Sequence, residues 1–120
     1  MHNKEKGFYA ENVAAKYLSN KGYKILFRNW TCRWGELDLV MLNNGILTFI
    51  EVKYRTTKTC GDVFESLTTA KKRHLKRTIN LFLKQESTYR NYENWCFELI
   101  CITKRSSSFL IDHYKSLFLT

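Results

Sequence analysis

The sequence contains no proline, only 5 glycines in 120 residues, no internal repeat, and no low-complexity segment beyond the turn-like Arg105-Ser106-Ser107-Ser108. Nothing of that kind marks a boundary between domains, so a single domain over residues 1–120 is expected, long enough for a core without covalent staples. No uncharged apolar run approaches the ~18 residues that cross a bilayer as a helix, so no membrane partner is expected. The opening Met1-His2-Asn3-Lys4-Glu5-Lys6 leads into a mixed polar helix without the apolar centre of a secretory signal. Cys32, Cys60, Cys96 and Cys101 show no CxxC spacing and no nearby histidine pattern, which argues against zinc. They are expected as reduced thiols, with the cytoplasm as compartment. Acidic residues are also few, 11 against 20 Lys and Arg, giving a net charge of +9. The basic residues are spread over folded segments and do not form a juxtamembrane block, so the excess points to nucleic acid as the polyanionic partner.

What is present is enough apolar material for a core: 44% hydrophobic and 15% aromatic residues exclude a disordered chain. Residues 7–21 read as a helix, with Ala10, Val13, Ala14, Tyr17 and Leu18 at helical spacing and Gly22 as its stop. Glu11 lies at the edge of that stripe, where a half-exposed helix carboxylate is the ordinary reading. Residues 23–32 form a first strand, and two apolar runs around Asn43-Asn44-Gly45 form the next two. After a polar linker, 56–61, a second helix spans 69–84, with Leu75, Ile79, Phe82 and Leu83 on one stripe. Its flank carries Lys72, Arg73, Lys76 and Arg77, by default a solvated face but a candidate DNA contact on so basic a chain. Strands at 95–102 and 109–114 complete the order. Strand, long helix, strand is a crossover that should set the fourth strand parallel to the third. The expected fold is α/β: an α-β-β-β-α-β core with an extra terminal strand, a mixed sheet of about five strands flanked by helices.

The hairpin carries the chemistry. If Asn44 and Gly45 occupy the turn, Asn43 faces Ile46, Asp38 faces Glu51, and Glu36 faces Lys53, all on one side of the sheet. A turn at Asn43-Asn44 would instead make Asp38 a diagonal neighbour of Glu51, still on the same face, whereas a three-residue loop would change the parity unless a bulge restored it. Directly opposed like charges lie roughly 5 Å apart at Cβ and are destabilising, unless a cation sits among them. On the third strand, Leu47 and Phe49 give way to Glu51, Lys53 and Arg55 on the same face, as where a strand leaves the core for a polar cleft. A plain cross-strand ion pair would account for Lys53 but not for Asp38 against Glu51. These residues make Asp38, Glu51 and Lys53 candidates for metal-assisted phosphodiester hydrolysis, with Asp38, Glu51 and the Val52 carbonyl as oxygen ligands for Mg²⁺ or Mn²⁺. His74 and His113 read as structural or surface residues, not as metal ligands.

These pieces together resemble the PD-(D/E)XK nuclease superfamily and, within it, the YraN-like bacterial family related to archaeal Holliday junction resolvases. The resemblance rests on Gly7 with Glu11, Gly22-Tyr23, Arg28-Asn29-Trp30, Gly35-Glu36-Leu37-Asp38-Leu39, Phe49-Ile50-Glu51-Val52-Lys53 with Arg55, and Lys71, with His113 and Phe118 echoing the family's ending. Ala10 stands where the family usually has glycine, and Phe97-Glu98 where it usually has Phe-Asp. The resemblance implies a restriction-endonuclease-like fold, an Mg²⁺-dependent endonuclease acting on DNA, and a preference for branched or structured substrates in repair or recombination. It also implies that Glu11 closes the metal site from the first helix, that Arg33, Arg55 and Lys71 bind phosphates, and that a homodimer could make paired cuts. A non-catalytic nucleic-acid-binding module, or a subunit bound to an acidic protein, would fit the charge as well.

Overall fold

Asn44 and Gly45 both take positive φ, 52° and 78°, and close the tight hairpin expected of an Asn-Gly pair. The strands they join are β2 (Gly35–Asn43) and β3 (Ile46–Arg55), antiparallel, with Asn43 opposite Ile46 and Leu39 opposite Ile50. The structure, a computed structural model, describes residues 3–56, 67–92 and 94–117. Helix α1 (Asn3–Asn20) and strand β1 (Lys24–Cys32) precede the hairpin; α2 (Thr69–Gln85), β4 (Cys96–Lys104) and β5 (Phe109–Leu117) follow it. One sheet holds the strands in the order β1-β2-β3-β4-β5, antiparallel throughout except for the parallel pair β3 and β4. The parallel pair is the one with α2 between its strands in sequence, as a crossover requires. The chain is thus α/β, with a mixed five-stranded sheet flanked by helices. Cys60, Phe118 and most of the expected linker after Thr56 lie outside the described residues.

Strand alternation divides the core. Leu39, Met41 and Ile50 pack against Ala10, Ala14, Ala15 and Leu18 of α1 on one face. Val40, Leu47 and Phe49 pack against Leu75, Ile79 and Phe82 of α2 on the other. Covering both faces explains why β2 and β3 read as unbroken apolar runs near the turn and not as alternating ones. Phe82 is the hub of the α2 side, edge-on to Phe27, Trp30 and Phe49 and stacked on Tyr89, with ring centroids 5.2–6.0 Å apart. Helix α2 opens on Thr68, whose hydroxyl accepts from the Lys71 amide at 3.2 Å.

Glu98, the charge that interrupts the apolar run of β4, is buried. The Tyr23 hydroxyl donates to its Oε1 at 2.8 Å, and His113 Nε2 meets the same oxygen at 2.7 Å. Burial alone would raise its pKa, but the hydrogen bonds from His113 and Tyr23 outweigh it and hold the carboxyl below its usual range. His113 is therefore structural, as expected, and joins β5 to the corner between α1 and β1. Cys32 and Cys96 are free thiols. Cys101, fully buried, is disulfide-bonded, which corrects the expectation of four reduced thiols. Its spacing from the other cysteines carried no signal of a pair. Among the described residues, no helix is long and apolar enough to cross a membrane.

Candidate active site

The hairpin ladder runs from Asn43 opposite Ile46 to Leu39 opposite Ile50 and stops there. Beyond that point β2 stays with β1, as far as Gly35 opposite Cys32, while β3 stays with β4, as far as Arg55 opposite Thr103. The sheet forks, and Asp38 stands in the fork. Its Oδ2 accepts the Val52 amide at 2.9 Å, so a side chain takes the place of the next backbone rung. The expected register is correct, and it brings the Asp38 and Glu51 carboxyls within hydrogen-bonding reach of each other. The expected pairing of Glu36 with Lys53 is not part of the ladder, because the strands have already diverged; both side chains instead line one cleft.

The electrostatics follow from that crowding. Burial, then the neighbouring charge of Asp38, pushes Glu51 up to about 8, and the nearby ammonium of Lys53 only partly opposes this. Lys53 Nζ lies 3.7 Å from Glu51 Oε1, with the lysine side chain 45% exposed and the glutamate 27%. Asp38 is buried to 9% exposure. Glu11 of α1 is half-buried, and its pKa is raised by burial and by Asp38, against the pull of an Asn29 hydrogen bond and of Arg28. Its Oε1 is buried without a hydrogen-bond partner among the described residues. Asn29 holds φ at 52° inside β1, a left-handed value that asparagine tolerates better than other non-glycine residues. Sequence reasoning gave Asn29 no role, since only the folded backbone turns its side chain toward Glu11.

Asp38 opposes the ionisation of both Glu51 and Glu11, and Glu11 carries an orphaned buried oxygen, so carboxylate oxygens crowd this corner of the fold. Among the described residues, however, no group of three or more His, Cys, Asp or Glu side chains is placed to hold a metal ion. Asp38 and Glu51 converge, while Glu11 stands close enough to Asp38 for that charge to raise its own pKa. Two carboxylates with water and substrate oxygens are a sufficient set for Mg²⁺.

The cleft beside the fork has a volume of ≈ 400 Å³. Glu36, Glu51 and Lys53 form one wall, Leu99 of β4 contributes the floor, and Lys71, His74 and Thr78 of α2 form the other wall. Lys71 is thus the expected phosphate ligand that meets the site, and His74, assigned no role from sequence, faces it as well. Arg73 and Lys76 do not: with Arg77, Asn80, Leu81 and Lys84 they line a second groove of ≈ 390 Å³. Lys72, half-buried, lines neither. Arg55 turns back to donate to the Tyr54 carbonyl at 3.3 Å, and the Arg33 guanidinium lies over the Trp34 ring.

Comparison with known proteins places the chain. Residues 10–102 match an uncharacterised protein family, UPF0102. A UPF0102 protein of Syntrophomonas wolfei is 39% identical over 116 residues, covering 97% of this chain and 99% of the relative. One from Carboxydothermus hydrogenoformans is 34% identical over 116 residues, covering 97% of each. A third, from Lachnoclostridium phytofermentans, is 46% identical over 83 residues, 69% of this chain and 70% of the relative. The match spans the Glu11 helix, the forked hairpin and the parallel strand β4, and on that footing the chain belongs to the UPF0102 family, the YraN-like family its hairpin motifs resemble.

Proposed function

We propose that this protein is a PD-(D/E)XK-type nuclease that hydrolyses phosphodiester bonds in DNA with the help of Mg²⁺, for which Mn²⁺ substitutes. The observation that carries the reading is the fork: Asp38 and Glu51 are driven together where two strands part, with Lys53 alongside and a basic helix across the cleft. Such repulsion is costly to a fold and is found where a site needs it. Asp38, Glu51 and the Val52 carbonyl would hold the cation, which when bound neutralises phosphate charge and lowers the barrier to attack by water. Lys53 is a pleat beyond Glu51, where its ammonium can orient the attacking water and stabilise charge on the phosphate oxygens. Lys71 takes an adjoining phosphate, while Glu11 of α1 stands near Asp38 behind the fork. Branched or otherwise structured DNA is the substrate class, with the cytoplasm as compartment and a pair of copies making paired cuts.

A second reading is favoured by the basic groove on α2, which lies apart from the cleft: a module that binds DNA without cutting it. Labelled linear, flapped, single-stranded and four-way substrates separate the two when incubated with Mg²⁺, Mn²⁺ or EDTA. Nuclease action predicts cleavage that stops in EDTA and in Asp38→Asn and Lys53→Met. Salt-sensitive binding with no metal-dependent cleavage by the wild type selects the second reading.

A further inference from the structure

Trp34 is not explained by the cleft chemistry. Cys32 pairs with Gly35, so Arg33 and Trp34 form the whole turn between β1 and β2. That turn is pressed onto α2: a Cβ at Gly35 would stand 3.0 Å from His74 Nε2 and 3.1 Å from Thr78 Oγ1. The turn therefore holds Trp34 at a fixed place beside α2, between the cleft that His74 lines and the outer groove that Arg77 lines. Trp34 is 48% exposed, whereas Trp30, two residues before Cys32, is 9% exposed in the core. Two guanidiniums lie over it, Arg33 at 5.6 Å and Arg77 at 5.9 Å from its centroid. A tryptophan left half in water between two arginines does little for the core. Rigid placement, a half-exposed indole and flanking cations suit stacking on a nucleobase.

We propose that Trp34 is a stacking platform for an unpaired base, and that Arg33 and Arg77, with Arg73 and Lys76 beyond them, carry the flanking phosphates of that strand. A base within intact duplex has both faces covered by its neighbours and cannot reach the ring. The site thus selects DNA that offers unpaired bases next to the scissile strand, such as forks, flaps or single strands, and it rests on the DNA-binding reading above. The net charge of +9 supplies the long-range attraction, and Trp34 supplies the discrimination.

Binding measured by fluorescence anisotropy in EDTA isolates this step from cleavage. A labelled single strand, its duplex and a fork are titrated with wild type, Trp34→Ala, Trp34→Leu, Trp34→Phe and the Arg73→Ala/Lys76→Ala double variant, each checked for its melting temperature. Losing one stacked base should weaken single-strand and fork binding about ten-fold and duplex binding by less than about two-fold. Trp34→Phe should stay within about three-fold of wild type because it keeps a π-face. Trp34→Leu, which keeps apolar bulk without that face, should behave as Trp34→Ala. The double variant should weaken all three DNAs alike and flatten their salt dependence. Equal losses on duplex and single strand in Trp34→Ala, or no loss at all, overturn the proposal while leaving the nuclease reading to its own test. Failure of the wild type to bind any of these DNAs at low salt removes both.

Discussion

Glu51→Gln should make the metal-free protein more stable at alkaline pH, although it removes a group proposed for catalysis. In the folded chain Glu51 keeps its proton to about 8, chiefly because it is buried and then because Asp38 faces it. In the unfolded chain it ionises near its ordinary 4.5. Between those values the unfolded state holds fewer protons, so stability falls as pH rises and the loss is complete above about 8. At about 1.4 kcal/mol per pH unit the ceiling is ~5 kcal/mol. The side chain is still 27% exposed and Lys53 lies at 3.7 Å, so solvent screening and the ion pair reduce the effect. An advantage of about 1–3 kcal/mol for the glutamine variant at pH 9 is the expected size. For a chain of this length that corresponds to a melting temperature raised by roughly 5–10 °C. The assay is thermal unfolding of both proteins in EDTA at pH 5 and pH 9, followed by circular dichroism. A gain at pH 9 that shrinks toward zero at pH 5 supports the crowding of Asp38 and Glu51. Equal stability at pH 9, or a gain independent of pH, refutes it.

Other residues give independent checks. Asp38→Asn should retain an acceptor for the Val52 amide and fold normally, whereas Asp38→Ala should cost about 1–3 kcal/mol in urea unfolding by leaving that amide unpaired. Phe82→Ala removes the ring on which Phe27, Trp30, Phe49 and Tyr89 converge, and chemical unfolding should show a loss of about 3–5 kcal/mol. Glu98 is held ionised below the usual carboxylate range by His113 and Tyr23 despite its burial, so its contribution is present above the unfolded pKa and lost as pH falls through the lower folded one. Glu98→Gln should accordingly flatten the acid limb of a plot of melting temperature against pH. Gly35→Ala should destabilise by about 1–3 kcal/mol, since the added methyl meets Thr78, which is buried and cannot move aside.

The hairpin was legible in the sequence because a single local signal, Asn44-Gly45, sets the turn and hence the facing of every residue along it. That is why the sequence alone pairs Asp38 with Glu51. Where the pairing ends was not legible: a side chain that replaces a backbone rung, as Asp38 does at Val52, leaves no mark in periodicity. The Glu36 and Lys53 pairing failed for that reason. Helix periodicity located α2 and its basic flank, but not the division of that flank between two grooves. Lys71 and His74 turn to the cleft while Arg73 and Lys76 turn away, a difference fixed by how the helix sits on the sheet. Asn29 and Trp34 were silent because their surroundings come from elements distant in sequence, Glu11 on α1 and Arg77 on α2.

The most direct test of the site is calorimetric titration of the purified protein with Mn²⁺, at pH 7 in buffers of different ionisation enthalpy. Wild type is expected to bind the ion with release of a proton, because Glu51 must give up the one it holds below about 8. Asp38→Asn and Glu51→Gln should each weaken binding at least about ten-fold, and Glu51→Gln should abolish the proton release. Lys53→Met should bind the ion as wild type does. Binding of Mn²⁺ that is unchanged in both carboxylate variants would contradict the assignment of the fork as a metal site.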